Sequence, residues 1–287
     1  MCNIEYIQKK LAAYPQLSHA SNIIRKNEDA KTPATRSALD AISSKYVEYL
    51  EGIMNISGID DKSIRDKVVL LNEYYNFIHD NGYDNLFSSQ GKFRPTILEE
   101  FLFLLFNNLI DYYKNEYNDA NNVLMSGNVK AYTNLYFKAK DFPDFINSPS
   151  IGINQKDQDY AIYRTFDISI NGQRSQKIQI PAVAIEAKTY IDKTMLDSII
   201  ATAEKLKNGN PYTRFIVVAE RYDVSFDVDP AYSRVDQIYI LRKAMKKNEW
   251  KCVDGDVVLR LFKETRDHLE RPWSDVECRL KEEGVII

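Results

Sequence analysis

The sequence predicts an α/β protein: a mixed central β-sheet flanked by helices, with a helical region preceding it. Three observations carry this. Apolar residues recur at helical spacing through the N-terminal third, the period switches to two from about residue 159, and a helical stretch then separates further short apolar strands.

Taken in order, Leu39, Ile42, Tyr46 and Tyr49, then Val68, Leu71, Tyr75 and Ile78, repeat every three or four residues with polar residues between them. That pattern predicts helices through residues 3–83. Gly82, Ser88, Ser89 and Gly91 mark residues 81–94 as a loop. Pro95 then starts a helix in which Thr96 and Glu99 form a capping box ahead of the run Phe101–Phe106. That run is apolar on nearly every side, so the helix belongs in the core. Residues 115–149 carry weaker helical signals and end in Pro- and Ser-containing loops.

Alternation over residues 159–170 predicts a strand, Asn171-Gly172 a hairpin turn, and the Ile- and Val-rich residues 177–188 the returning strand. Met195, Ile199, Ala203 and Leu206 share one helical face over residues 194–208, which Gly209-Asn210-Pro211 closes. Residues 214–220 and 237–241 read as strands and residues 257–269 as a closing helix.

Composition excludes several functions. With 287 residues, 44% of them hydrophobic, the chain can bury a substantial core. His19, His79 and His268 are far apart, and Cys2, Cys252 and Cys278 stand singly, which argues against zinc hydrolases, zinc ribbons and disulfide scaffolds. The opening MCNIEYIQKK lacks the apolar core of a signal peptide. The longest apolar stretch, residues 97–110, is interrupted by Glu99, Glu100, Asn107 and Asn108. A cytoplasmic protein is therefore expected. A net charge of −3 is less basic than a dedicated nucleic-acid-binding module, yet it allows a carboxylate site inside a basic groove.

The chemistry-bearing signal is Ala184-Ile185-Glu186-Ala187-Lys188 at the end of a strand. Two residues apart, Glu186 and Lys188 point to one face. A second E-x-K triplet, Glu249-Trp250-Lys251, sits in a polar turn-like context and reads as structural. If residues 171–176 contain the hairpin turn, the residue facing Glu186 lies between 157 and 161. Asp157 and Asp159 both fall in that window, Asp159 at its middle. Cross-strand neighbours are about 5 Å apart, close enough to share one divalent ion. Asp167 has the same parity but would face about residue 179, roughly 23 Å from Glu186 at strand rise. Hard oxygen ligands suit Mg2+. The expected metal set is Asp159, Glu186 and the carbonyl of Ala187, with Lys188 orienting or helping to activate the attacking water.

Asp159 together with Glu186-Ala187-Lys188, on two strands followed by a helix and a buried strand, resembles the core of the PD-(D/E)xK nucleases over residues 95–245. Gln158 stands where the superfamily motif has its proline. More narrowly, GKFRPTILEEF and AIEAKTYIDKTMLD are similar to the BbvCI-like restriction endonucleases. The resemblance implies a restriction-endonuclease-like core and a type II enzyme that hydrolyses double-stranded DNA at a specific sequence with Mg2+. It also implies a second nuclease subunit, identical or related, and an added carboxylate from the preceding core helix, mapped to Glu99 first and Glu100 second. On that reading residues 1–90 serve DNA recognition or dimer contacts, and residues 91–287 form the catalytic core with C-terminal helices. The alternatives are a repair or recombination nuclease on the same fold, or a non-catalytic DNA-binding subunit.

Lys92 and Arg94, just before the core helix, and Lys138 and Lys140 are the candidate DNA contacts. Lys130, interleaved with Tyr132, Tyr136 and Phe137, could join them in a groove. Arg242, Lys243, Lys246 and Lys247 form the densest basic cluster and read as a solvated face.

Overall fold

A computed structural model describes residues 3–87, 93–118, 123–169, 175–245, 250–273 and 276–284. The Asn171-Gly172 turn, Lys92, Lys246, Lys247 and Glu249 lie outside the described residues.

Four N-terminal helices form as the periodicity predicts: α1 (Asn3–Ala13), α2 (Ser18–Glu28), α3 (Pro33–Met54) and α4 (Asp61–Asp80). Side-chain caps fix two of their starts. Thr32 Oγ1 accepts from Thr35 N at 3.1 Å, and Asp60 Oδ1 accepts from Lys62 N and Ser63 N.

The central helix α5 (Phe93–Glu116) starts two residues earlier than expected. Thr96 therefore sits inside the first turn and forms no capping box; its hydroxyl donates instead to Phe93 O at 2.8 Å. Pro95 is tolerated there because the first-turn N–H groups have no intrahelical acceptor to lose. Leu98, Phe101, Leu102, Leu105, Phe106 and Leu109 are all buried, so α5 runs through the core.

Residues 124–138 form strand β1 (Leu124–Lys138), not the weak helices expected there. Val129, Ala131 and Thr133 are buried while Lys130 is exposed, which is a period of two. Tyr132, Tyr136 and Phe137 fit either period, and pairing with a distant partner decides the outcome. A short helix α6 (Phe142–Asn147) leads into β2 (Ser150–Ile168), which begins nine residues before the predicted strand. There follow β3 (Gln176–Lys188), α7 (Lys193–Gly209), β4 (Arg214–Arg221), β5 (Gln237–Ala244) and α8 (Gly255–Glu270).

The strands lie in the order β1-β2-β3-β4-β5. The first two pairings are antiparallel and the last two parallel, as the hairpin and the crossover helix α7 require. One face of the sheet packs on α5 and the N-terminal helices, the other on α7. Among the described residues no helix is long and apolar enough to cross a membrane.

Candidate active site

The β2–β3 register pairs Ala161 with Ala184 and ends at Tyr160 with Ile185, so Asp159 and Glu186 are the next residues on their two strands. Asp167 pairs with Lys177, at the far end of β3. A register shift between Ile162 and Tyr163, beside Pro181, moves this pairing by one residue. Asp157 has turned away from β3 and pairs with Lys130 of β1.

A second irregularity lies at Asp159 itself. Gly127 pairs with Ala161 and Val129 with Gln158, so Asn128 alone opposes both Asp159 and Tyr160. This β-bulge interrupts the alternation that places Ala161 and Tyr163 against α7. The bulge leaves Asp159 without a ladder partner on β1, and its Oδ2 accepts a hydrogen bond from Ala187 N at 2.8 Å. Gly127 makes the bulge possible. Its φ is +134°, and a Cβ there would stand 2.8 Å from Gln16 Cγ.

Both carboxylates converge on one ammonium. Lys188 Nζ lies 2.7 Å from Glu186 Oε1 and 3.7 Å from Asp159 Oδ2. Burial alone would lower the Lys188 pKa, but the charges of Asp159, Glu186 and Glu99 outweigh it and raise it. The lysine is therefore cationic at neutral pH. Glu99 belongs to the same electrostatic environment and lines a cleft of about 580 Å3 with Asp157, Gln158, Asp159 and Lys130. Gln16, Ser18 and Ser21, from α2 and the turn before it, form the opposite wall.

Its neighbour Glu100 points the other way. It is fully buried and accepts from His19 N at 2.8 Å, Ala20 N at 3.0 Å and Tyr46 Oη at 2.8 Å. It thereby ties the N-terminus of α2 to α5. Burial, only partly offset by those donors, pushes its pKa up to about 7. His19 is equally buried, and desolvation lowers its pKa to about 3. The Thr96 hydroxyl proton is committed to Phe93 O, so His19 Nδ1 donates to Thr96 Oγ1 and Nε2 accepts from Tyr74 Oη.

These two groups pull stability in opposite directions. Folding strengthens proton binding by Glu100, so its contribution falls as pH rises from 4.5 to about 7. It weakens proton binding by His19, so that contribution rises from about pH 3 to 6.5. Between pH 4.5 and 6.5 they offset each other. Glu100→Gln should unmask the histidine, with stability climbing by up to about 1.4 kcal/mol per pH unit in that window. Urea midpoints of both proteins across that range read this directly, and parallel profiles would contradict it.

The candidate DNA contacts are scattered. Arg94 donates to Glu220 Oε2 at 2.8 Å and Asp84 Oδ2 at 2.9 Å, so its guanidinium is committed within the protein. Lys138 and Lys140 are exposed at the far end of the β1–β2 hairpin. Lys138 pairs with Ser150, nine residues and roughly 30 Å along the strand from Asp159. Arg242 is no solvated residue: it is buried, donates to Glu220 Oε2 at 2.7 Å and lies over the rings of Tyr75 and Trp250. Lys243 is exposed and pairs with Asp254. Trp250, in the second E-x-K triplet, stacks on His79, and the Lys251 carbonyl accepts from Arg242.

The donor set suits a hard divalent cation: two carboxylates held within reach of one point, beside a strand end whose Ala187 N–H already faces Asp159. Among the described residues no three His, Cys, Asp or Glu side chains are arranged to hold a metal ion.

A mixed sheet with helices on both faces, an antiparallel hairpin leading into parallel strands, and a central helix beneath the hairpin is the restriction-endonuclease-like fold. The family model of the Bpu10I restriction endonuclease matches residues 90–274. The chain belongs to that family and is a type II restriction endonuclease, an enzyme that cuts DNA internally. Among solved structures it is similar to the native BbvCI A2B2 tetramer, with a TM-score of 0.66 and 18% identity over 90% of this chain and 98% of that one. No curated protein matches the chain.

Proposed function

We propose that the chain is a Mg2+-dependent nuclease of the PD-(D/E)xK type that hydrolyses double-stranded DNA at one specific sequence, through Asp159, Glu186 and Lys188. The observation that supports this best is the convergence of the two carboxylates on the Lys188 ammonium. Asp159, Glu186 and the Ala187 carbonyl hold the cation. In a strand, the N–H and C=O of one residue point to the same edge, and the Ala187 N–H already faces Asp159. When bound, the cation supplies Lewis acidity toward the phosphate and a more acidic water. Lys188 donates to a phosphate oxygen and orients the attacking water, while Glu99 borders the same cleft. The P–O3′ bond breaks, leaving a 5′-phosphate and a 3′-hydroxyl.

One centre cuts one strand, so a double-strand break requires a second nuclease subunit, identical or related. The BbvCI structure is itself a tetramer of two kinds of chain, which supports the related-subunit reading. The N-terminal helices, which provide one wall of the cleft, serve recognition or subunit contacts, and the enzyme acts in the cytoplasm.

Digestion of a large mixed-sequence DNA with Mg2+, followed by mapping of the ends, tests the proposal. Discrete fragments or site-specific nicks are expected. Cleavage without sequence preference would point to a repair or recombination nuclease. No cleavage with Mg2+ or Mn2+, alone or with a partner subunit, would point to a non-catalytic chain.

A further inference from the structure

Among the described residues, Lys130 differs from the paired cations near the sheet and, unlike the other unpaired ones, borders the cleft of Asp159. Arg94, Arg214, Lys207, Lys188 and Arg242 each pair with a carboxylate. Lys130 lies directly across the ladder from Asp157, where opposite charges ordinarily pair, and its side chain is exposed. Among the described residues, however, no carboxylate is within ion-pair distance of its ammonium. It lines the same cleft as Glu99 and Asp159. Its strand neighbours Val129 and Ala131 are buried, which fixes the backbone that carries it.

We propose that Lys130 contacts a phosphate of the strand being cut, next to the scissile one. This rests on the nuclease reading of the cleft. Asp157, the cross-strand partner of Lys130, is two residues from Asp159, about 7 Å at strand rise. That is of the order of the separation between consecutive phosphates along one DNA strand. A lysine meets a phosphate as a point charge, so the contact carries no base preference. Lys130 is thus a positioning residue: it sets which phosphate reaches the two carboxylates and takes no part in bond breaking.

The test is equilibrium binding of the full-length protein to duplex DNA carrying its cleavage site, and to an unrelated duplex, without divalent metal, as salt rises from 50 to 200 mM. Removing one phosphate contact lowers the slope of log K against log salt by about 0.9, so the affinity loss over that range becomes about 3.5-fold smaller. Lys130→Ala and Lys130→Gln are expected to show this change on both duplexes, and Lys130→Arg to retain the parental slope. A merely structural lysine would leave the slope untouched. Parental slopes in folded Ala and Gln variants would overturn the inference alone. Failure of the unmutated protein to bind or cut any duplex would overturn the nuclease reading and the inference with it.

Discussion

Lys188→Ala is expected to reduce DNA cleavage by about 10²–10⁴-fold, equivalent to about 3–5 kcal/mol of transition-state stabilisation. The side chain is the only cation bonded to Glu186 Oε1, at 2.7 Å, among the described residues, and it faces Asp159 as well. Its removal takes the positive charge from the place where a phosphate's charge would build up. The fold should survive, because Lys188 is the last residue of β3 and its side chain is partly exposed. Thermal unfolding and DNA binding should therefore stay near the parental values while cleavage disappears. Glu186→Ala should behave alike, since it removes half of the carboxylate pair. Substantial cleavage by either variant would place the chemistry elsewhere in the chain.

The second large effect is predicted at Glu220, far from that chemistry in role if not in space. Its carboxylate is buried and held by Arg94 at 2.8 Å, Arg242 at 2.7 Å and Tyr75 Oη at 3.2 Å. Burial would raise its pKa, yet the two guanidinium groups outweigh burial and hold it below the usual carboxylate range. Glu220→Ala leaves Arg242 buried without its counter-charge, and Arg94 with Asp84 alone. Breaking one partner of a buried ion cluster costs about 3–5 kcal/mol. A fall of that size in unfolding free energy, read from the urea midpoint at constant slope, is the expected result. A loss below about 1 kcal/mol would mean that solvent or neighbouring groups readily replace the carboxylate.

These two residues also mark the border of what the sequence discloses. Glu186 and Lys188 are legible because their relation is local: two positions on one strand share a face whatever the rest of the chain does. Asp159 follows from one further assumption, the position of a hairpin turn; the last β2–β3 pair, Tyr160 with Ile185, leaves Asp159 and Glu186 as the next residues on their strands. Glu220 is another matter. Its partners are separated from it by 126 and 22 residues, and no spacing rule links them. For the same reason Arg242 looked like one more solvated cation in a basic run, when it is a buried ion-pair partner.

Strand β1 was hidden for a related physical reason. Its interior half alternates cleanly, but its outer half, from Asn134 to Lys138, is exposed on both faces and leaves no burial pattern to read. The stretch becomes a strand because β2 supplies the ladder from Arg164 to Ser150. The cleft wall contributed by Gln16, Ser18 and Ser21 was equally out of reach, since more than 130 residues separate these from Asp159. The buried ties from Glu100 to α2 set that wall in place, and nothing in the local pattern around Glu100 distinguishes it from its cleft-facing neighbour.

One residue of extra length in β2, opposite Asn128, has an evolutionary implication. Deleting a single amino acid there would restore an even ladder and move the aspartate into the place of Tyr160, which packs on Phe106 of α5, away from the Ala187 N–H. Homologues should thus accept many substitutions along this segment but almost no change in its length.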